Sequence, residues 1–210
     1  MTTMTPETNA FTDWREAFLQ AREHLPETVE LPPDATPEGR RKESFRSICD
    51  PEFCKRIERD RLPNPAAFDA VAQWDGTYPG RLATGRTDTA KTRAAWSALG
   101  RLYVHHDRRF TWYPVRTLIM KLEQEEKQRT GADFFKNMEH YHVLFIDDLD
   151  KINWQFESHK EQLFAFYDWI YRMRRPCLTT TNKDRAWWAK MMGDAFARRL
   201  FQDAHTEVKF

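Results

Sequence analysis

Short apolar stretches that alternate with longer amphipathic ones from about residue 62 onward predict an α/β fold, with a parallel sheet of about five strands flanked by helices. The clearest sign is Val143-Leu-Phe-Ile146, four consecutive apolar residues that end abruptly at Asp147 and Asp148, as in a strand buried on both faces. A second is the stretch from Ala90 to Val104, which places Ala94, Ala95, Leu99 and Leu102 on one side of a helix. The third is size. With 210 residues, 40% hydrophobic and 31% charged, the chain has room for one α/β domain and a tail, and too little for two large domains.

Residues 1–44 read as an N-terminal helix and Pro-rich linker, and 45–210 as the core. Phe11, Trp14, Phe18 and Leu25 recur at helical spacing, so an amphipathic helix is expected over Phe11–Leu25. Pro26, Pro32, Pro33 and Pro37, with Gly39, then remove backbone donors and make a linker. That first helix reads equally as an element laid on the core or as a handle for a partner protein. In the core, Arg81–Thr84 is a short strand running into a turn, followed by the Ala90–Val104 helix. Phe110–Tyr113 is a second strand, with a helix from Pro114 to Gln128 after it. The Val143–Ile146 strand leads to a helix from about Glu157 to Arg172 and then to a fourth strand, Cys177–Thr181. Two short helices near Trp187 and Ala195 precede a last strand, His205–Phe210.

Lys plus Arg total 33 against 32 Asp plus Glu, so net charge gives no global pull toward nucleic acid or membrane, and partners must be sought in patches. No stretch approaches the roughly 18 consecutive apolar residues of a membrane span, and the start lacks a secretion signal, so a cytoplasmic location is expected. Cys49, Cys54 and Cys177 are too few for a disulfide framework. Cys49 and Cys54 could open a zinc site, but no second Cys or His pair follows at a suitable spacing, which favours small packed side chains.

Four motifs carry chemistry. Gly85-Arg-Thr-Asp-Thr-Ala-Lys91-Thr92 follows a strand and opens a helix, where backbone N–H groups and the helix dipole suit a polyphosphate. Gly85, Thr87, Asp88, Thr89, Ala90, Lys91, Thr92 and Arg93 are the candidate ATP-binding residues, with Lys91 neutralising the β and γ phosphates and the Thr92 hydroxyl holding Mg²⁺. Asp88 and Ala90 depart from the glycines usual in such loops, and Ala90 fits if its φ is negative. A polar turn before a Lys-containing helix is the plain alternative. Asp147 and Asp148, delivered by a buried strand to the carboxyl edge of the sheet, form the second motif: Asp147 as a Mg²⁺ ligand through water, Asp148 as the group orienting the attacking water. Asn182, ending the Thr179-Thr-Thr run, is the third, able to contact the lytic water and the γ-phosphate, or simply to form a turn. The fourth is Ala197-Arg-Arg-Leu200, which alone reads as a basic helix face.

Together these motifs resemble the AAA+ ATPases of the DnaC and IstB group, the bacterial and phage helicase loaders and transposition helpers. Leu62-Pro-Asn-Pro-Ala-Ala-Phe68 with Trp74 resembles the helix that precedes the nucleotide loop in phage-type members, and the likeness covers about residues 45–210. It implies a P-loop NTPase core in which Asp147-Asp-Leu149 is Walker B and Asn182 is sensor 1. It also implies an arginine acting on a neighbouring subunit's γ-phosphate, Arg199 first and Arg198 second, and hence hydrolysis in an assembled state that is weak in the isolated subunit. The chain ends after the last expected strand, so no C-terminal lid domain is expected.

The resemblance implies further copies of the chain, or a replicative helicase or transposase, as partners. For single-stranded DNA, the basic clusters His105–Arg109 and Tyr171–Arg175 read equally as contact patches or solvated helix ends. Two other functions fit the residues: an adaptor that keeps the fold without hydrolysis, motivated by Asp88 and Ala90, and a DNA-binding module with coincidental nucleotide motifs.

Overall fold

The computed structural model describes residues 36–54, 58–128 and 130–210. The helix expected over Phe11–Leu25 lies outside them. Its sheet has five strands, β1 (Gly80–Thr84), β2 (Phe110–Pro114), β3 (Val143–Asp147), β4 (Cys177–Thr181) and β5 (His205–Lys209), in the spatial order β2-β3-β4-β1-β5. Every pairing is parallel. Parallel neighbours need crossovers, and the helices supply them: α4 (Lys91–His106), α5 (Val115–Gln128), α6 (Gly131–Met138), α7 (Glu157–Arg172), α8 (Arg185–Met192) and α9 (Asp194–Arg198), after α1 (Pro37–Ile48), α2 (Pro51–Cys54) and α3 (Pro65–Ala72).

Strand period two splits the interior into two layers. Leu144 and Ile146 face one core with Leu118, Phe166, Tyr167 and Trp188, while Val143 and Phe145 face the other with Val71, Trp96 and Leu99. Trp96 is the centre of that second layer. Its ring meets those of Phe45, Phe110, Trp112 and Phe145 at centroid distances of 5.9, 6.0, 5.2 and 5.9 Å. Burial of aromatic surface on this scale fixes α1 and α4 against the sheet.

Pro37 and Gly39, expected in a linker, belong instead to the first turn of α1, so the boundary expected between 44 and 45 falls inside a helix. The reason is local: Thr36 Oγ1 accepts from Gly39 N at 2.9 Å as N-cap, and proline at the first helical position loses no intrahelical bond. Gly100 completes the docking, because a Cβ there would lie 2.9 Å from the Phe45 ring. Helix α6, which no sequence expectation covered, is only eight residues long and buries Phe134 and Met138 at helical spacing. Among the described residues no helix is long and apolar enough to cross a membrane.

A buried polar chain crosses the first layer. Tyr167 Oη lies 3.0 Å from Thr179 Oγ1, which lies 3.1 Å from His205 Nε2, and His205 Nδ1 reaches Leu200 O at 3.0 Å. The carbonyl can only accept, so Nδ1 carries a proton, and in the neutral ring that burial favours Thr179 donates to Nε2. Burial pushes the His205 pKa down to about 4, against a smaller upward pull from the Leu200 carbonyl. Between pH 6.5 and about 4 the unfolded histidine binds a proton that the folded one refuses, so stability is lost as pH falls through that window, at up to about 1.4 kcal/mol per pH unit. Urea unfolding at pH 7 and pH 5 is expected to show this loss in the wild type and a shallower one in His205→Gln; parallel profiles would refute the assignment.

Candidate functional site

The order of the sheet sets the site. Strand β4 lies between β3 and β1, so the loop after β1, the acids ending β3 and the residue after β4 emerge side by side at the carboxyl edge. The loop runs from Gly85 to Ala90. Gly85 has φ 138°, and a Cβ there would approach the Phe210 carbonyl oxygen to 2.7 Å, so the position requires glycine. Asp88 and Ala90 also have positive φ, 62° and 69°. The negative φ on which the fit of Ala90 was expected to depend is not found. The loop keeps a glycine-like conformation with side chains in it, at a cost on the order of 1–2 kcal/mol for each such residue.

Ala90 gives α4 no side-chain cap, which leaves the N–H groups of its first turn available to an anion. Lys91 is 6% exposed and its Nζ donates to Gly85 O at 3.0 Å, Arg86 O at 2.5 Å and Thr89 Oγ1 at 3.2 Å. Burial lowers its pKa, while Asp150, Asp148, Asp147 and Asp88 pull it back up, Asp150 most. The neighbouring Thr92 donates to Asp147 Oδ1 at 2.9 Å, and Thr180 of β4 donates to the same oxygen at 2.5 Å. Burial raises the Asp147 pKa, opposed by those two hydroxyls and reinforced by Asp148. A half-buried carboxylate with no ion pair among the described residues, a second acid beside it and the Thr92 hydroxyl against it form an oxygen-rich donor set that fits Mg²⁺.

Asp148 turns the chain in a left-handed conformation (φ 54°), its N–H donating to Thr180 Oγ1 at 2.9 Å, and its exposed side chain faces the cleft. Asp150, two residues on, is the residue that sequence reasoning missed. Its Oδ1 accepts from Thr181 Oγ1 at 3.1 Å and Asn182 N at 2.8 Å, and its Oδ2 accepts from Asn182 Nδ2 at 3.3 Å. The carboxylate can only accept, so it fixes which end of the Asn182 amide faces it and leaves the carbonyl end turned away. The signal in the sequence was a third acid in the run from Asp147 to Asp150.

Lys91, Thr92, Asp148 and Asn182 share one cleft of about 770 Å³, lined also by Phe53, Leu62 and Pro63. That volume is in the range of small-molecule sites. Thr87, Asp88, Thr89 and Arg93 line it too, though Arg93 Nη2 is engaged by Glu52 O and Oε1 at 3.0 and 3.2 Å. The two arginines expected to act on a neighbouring subunit's nucleotide lie away from this cleft. Arg199, 19% exposed, pairs with Asp168 and lies over the rings of Phe164 and Tyr171 at 5.5 and 5.0 Å, whereas Arg198 is 64% exposed and 3.5 Å from Asp203.

A parallel α/β sheet with a phosphate-type loop after a central strand and an acid pair ending its second neighbour defines the P-loop NTPase class of fold. Solved structures share this fold. The chain superposes on the DnaC helicase loader with a TM-score of 0.61 at 15% identity, covering 77% of this chain and 99% of that one. For DnaI the TM-score is 0.58 at 13% identity, covering 77% and 94%. For a replication initiator DnaA bound to AMPPCP and single-stranded DNA it is 0.56 at 15%, covering 77% of this chain and 51% of that one. No protein-family model matches the chain, and no curated protein matches it.

The loop conformation leads to an expected outcome. Ala90→Gly relieves the left-handed strain but loosens the unfolded chain, for a net gain of about 0.5–1 kcal/mol in urea unfolding. A loss of stability would show that Ala90 is not held at positive φ.

Proposed function

We propose that the chain is an ATP-binding AAA+ ATPase of the helicase-loader kind, acting in DNA replication or transposition and hydrolysing ATP to ADP and phosphate in an assembled state. The observation that carries this is the convergence of Lys91, Thr92, Asp148 and Asn182 on one cleft from elements far apart in the chain, with Asp147 bonded behind Thr92 at 2.9 Å. The neighbours named as loader and initiator, one of them holding an ATP analogue, support ATP as the ligand and a replicative helicase and single-stranded DNA as partners.

Lys91 exchanges its carbonyl acceptors for β and γ phosphate oxygens, and the first-turn N–H groups of α4 hold the remaining charge. When bound through Thr92 and Asp147, Mg²⁺ supplies charge neutralisation along the phosphates. Asp148 accepts a proton from the attacking water as that oxygen bonds to the γ-phosphorus and the bond to the bridging oxygen breaks. Asn182, held by Asp150, positions that water. The arginine offered to a neighbouring copy is Arg198 rather than Arg199, since Arg199 would first have to leave a partly buried carboxylate and two rings.

A second reading, a non-hydrolysing adaptor, is favoured by the three acceptors already held by Lys91 and by the charge of Asp88 in the loop. Calorimetric titration with Mg-ATP separates the two. Micromolar binding is expected for the wild type and none for Lys91→Ala; silence up to millimolar nucleotide in the wild type would establish the adaptor. Asp148→Asn is expected to keep that affinity and lose about 100-fold or more in hydrolysis. Asp150→Ala is expected to slow hydrolysis while Mg-ATP affinity changes less than about threefold, and an equal loss of both would assign Asp150 to the fold alone. Arg198→Ala should lower turnover only at protein concentrations that allow assembly.

A further inference from the structure

The two basic clusters that the sequence left open between contact patches and solvated helix ends meet at the amino edge of the sheet, opposite the nucleotide cleft. Register brings them together. Phe110 pairs with Val143 and Leu144 with Cys177, so one step before the first pair and two before the second Arg109, His142 and Arg175 form a row across β2, β3 and β4. The bonds bear this out: His142 N donates to Arg109 O at 2.8 Å, Arg109 N donates to His142 Nδ1 at 3.0 Å, and Leu144 N donates to Pro176 O at 3.0 Å. Two strand spacings span roughly 10 Å. Arg108 and Arg174 extend the row on its exposed side, and His140 and His142 are exposed between them.

These charges lack counterparts. Among the described residues, Arg108, Arg109 and Arg174 make no ion pair. The nearby acids are engaged elsewhere: Asp107 lies 3.9 Å from Arg41, Asp168 pairs with Arg172 and Arg199, and Asp203 lies 3.5 Å from Arg198. Glu139 stands near Arg175, whose guanidinium is tied to the carbonyls of Met138, Glu139 and Tyr141 and so forms a fixed positive charge. His142 registers the resulting potential: after burial, Arg108, Arg109 and Arg175 are what lower its pKa. With a net charge of +1 over the whole chain, this is segregation of charge and not a general excess. Beside the arginines, Tyr171 and Met173 are 39% and 50% exposed. Guanidinium groups match phosphate oxygens, and the Tyr171 ring, one face of it covered by Arg199 at 5.0 Å, adds apolar surface beside them.

We infer that the amino edge of the sheet, through Arg108, Arg109 and Arg174, binds the phosphate backbone of single-stranded nucleic acid. The surface is independent of the nucleotide cleft. It is tested with the full chain by fluorescence anisotropy of a labelled mixed-sequence single-stranded oligonucleotide from about 50 to 200 mM salt. The wild type is expected to bind, and Arg108→Glu/Arg109→Glu/Arg174→Glu to weaken binding at least tenfold. Three phosphate contacts in single strands should also reduce the slope of log K against log salt by about 2. Should the reversed variant fail to fold, Arg108→Gln/Arg109→Gln/Arg174→Gln reads the same contacts with a smaller loss. Lys91→Ala is expected to bind as the wild type does, so failure of the nucleotide reading leaves this result intact. Wild-type affinity in a folded charge-altered variant, tighter binding of duplex than of single strand, or no wild-type binding at about 50 mM salt would each overturn the inference.

Discussion

One carboxylate ties the carboxyl edge together. Asp147 ends β3 and accepts hydroxyl protons from Thr92 on α4 and Thr180 on β4, so one oxygen joins three elements. Thr180 also accepts from Asp148 N, which holds the turn after β3 against β4. A half-buried carboxylate with only neutral donors is costly, and that desolvation cost is why its pKa rises. The arrangement is therefore a poor way to stabilise a sheet and a good way to keep an acid close to a charged ligand. The rest of the cleft depends on it, because the start of α4 and the end of β4 are positioned relative to that oxygen.

The central strands Val143–Asp147 and Cys177–Thr181 were legible because each is a short β-branched or apolar run with an abrupt polar end. The phosphate-type loop and the acid pair were legible because their chemistry is written in adjacent letters. What was not legible depends on geometry that letters alone do not carry. Pro37 and Gly39 look like breakers until Thr36 is seen to cap them. Asp150 looks like a turn residue until the left-handed Asp148 directs the chain back toward Asn182. The ranking of Arg199 over Arg198 came from the family resemblance, and the intramolecular pairing with Asp168 is a tertiary fact.

The loop shows the same tension from the other side. Positive φ at Asp88 and Ala90 means that the backbone path follows the requirement of the site, while the side chains follow something else. Aspartate tolerates the left-handed region through local hydrogen bonding better than alanine does. Strain concentrated at the first residue before α4 is the pattern expected where the path of a backbone matters more than its stability.

The two edges of the sheet carry opposite chemistry, and the sheet itself explains why both can exist in a chain of nearly balanced charge. In parallel strands all carboxyl ends lie on one side and all amino ends on the other, so residues just after strands and just before them are collected onto separate surfaces. Asp147, Asp148 and Asp150 follow β3 onto one edge, and Arg109, His142 and Arg175 precede β2, β3 and β4 onto the other. Each set is scattered in the chain and adjacent in space. Fields from sets of like charge add across the width of the sheet, whereas the same residues distributed evenly would cancel. A cation-seeking cleft and an anion-seeking rim are thus consequences of one topological rule applied to where the acids and arginines fall relative to the strands.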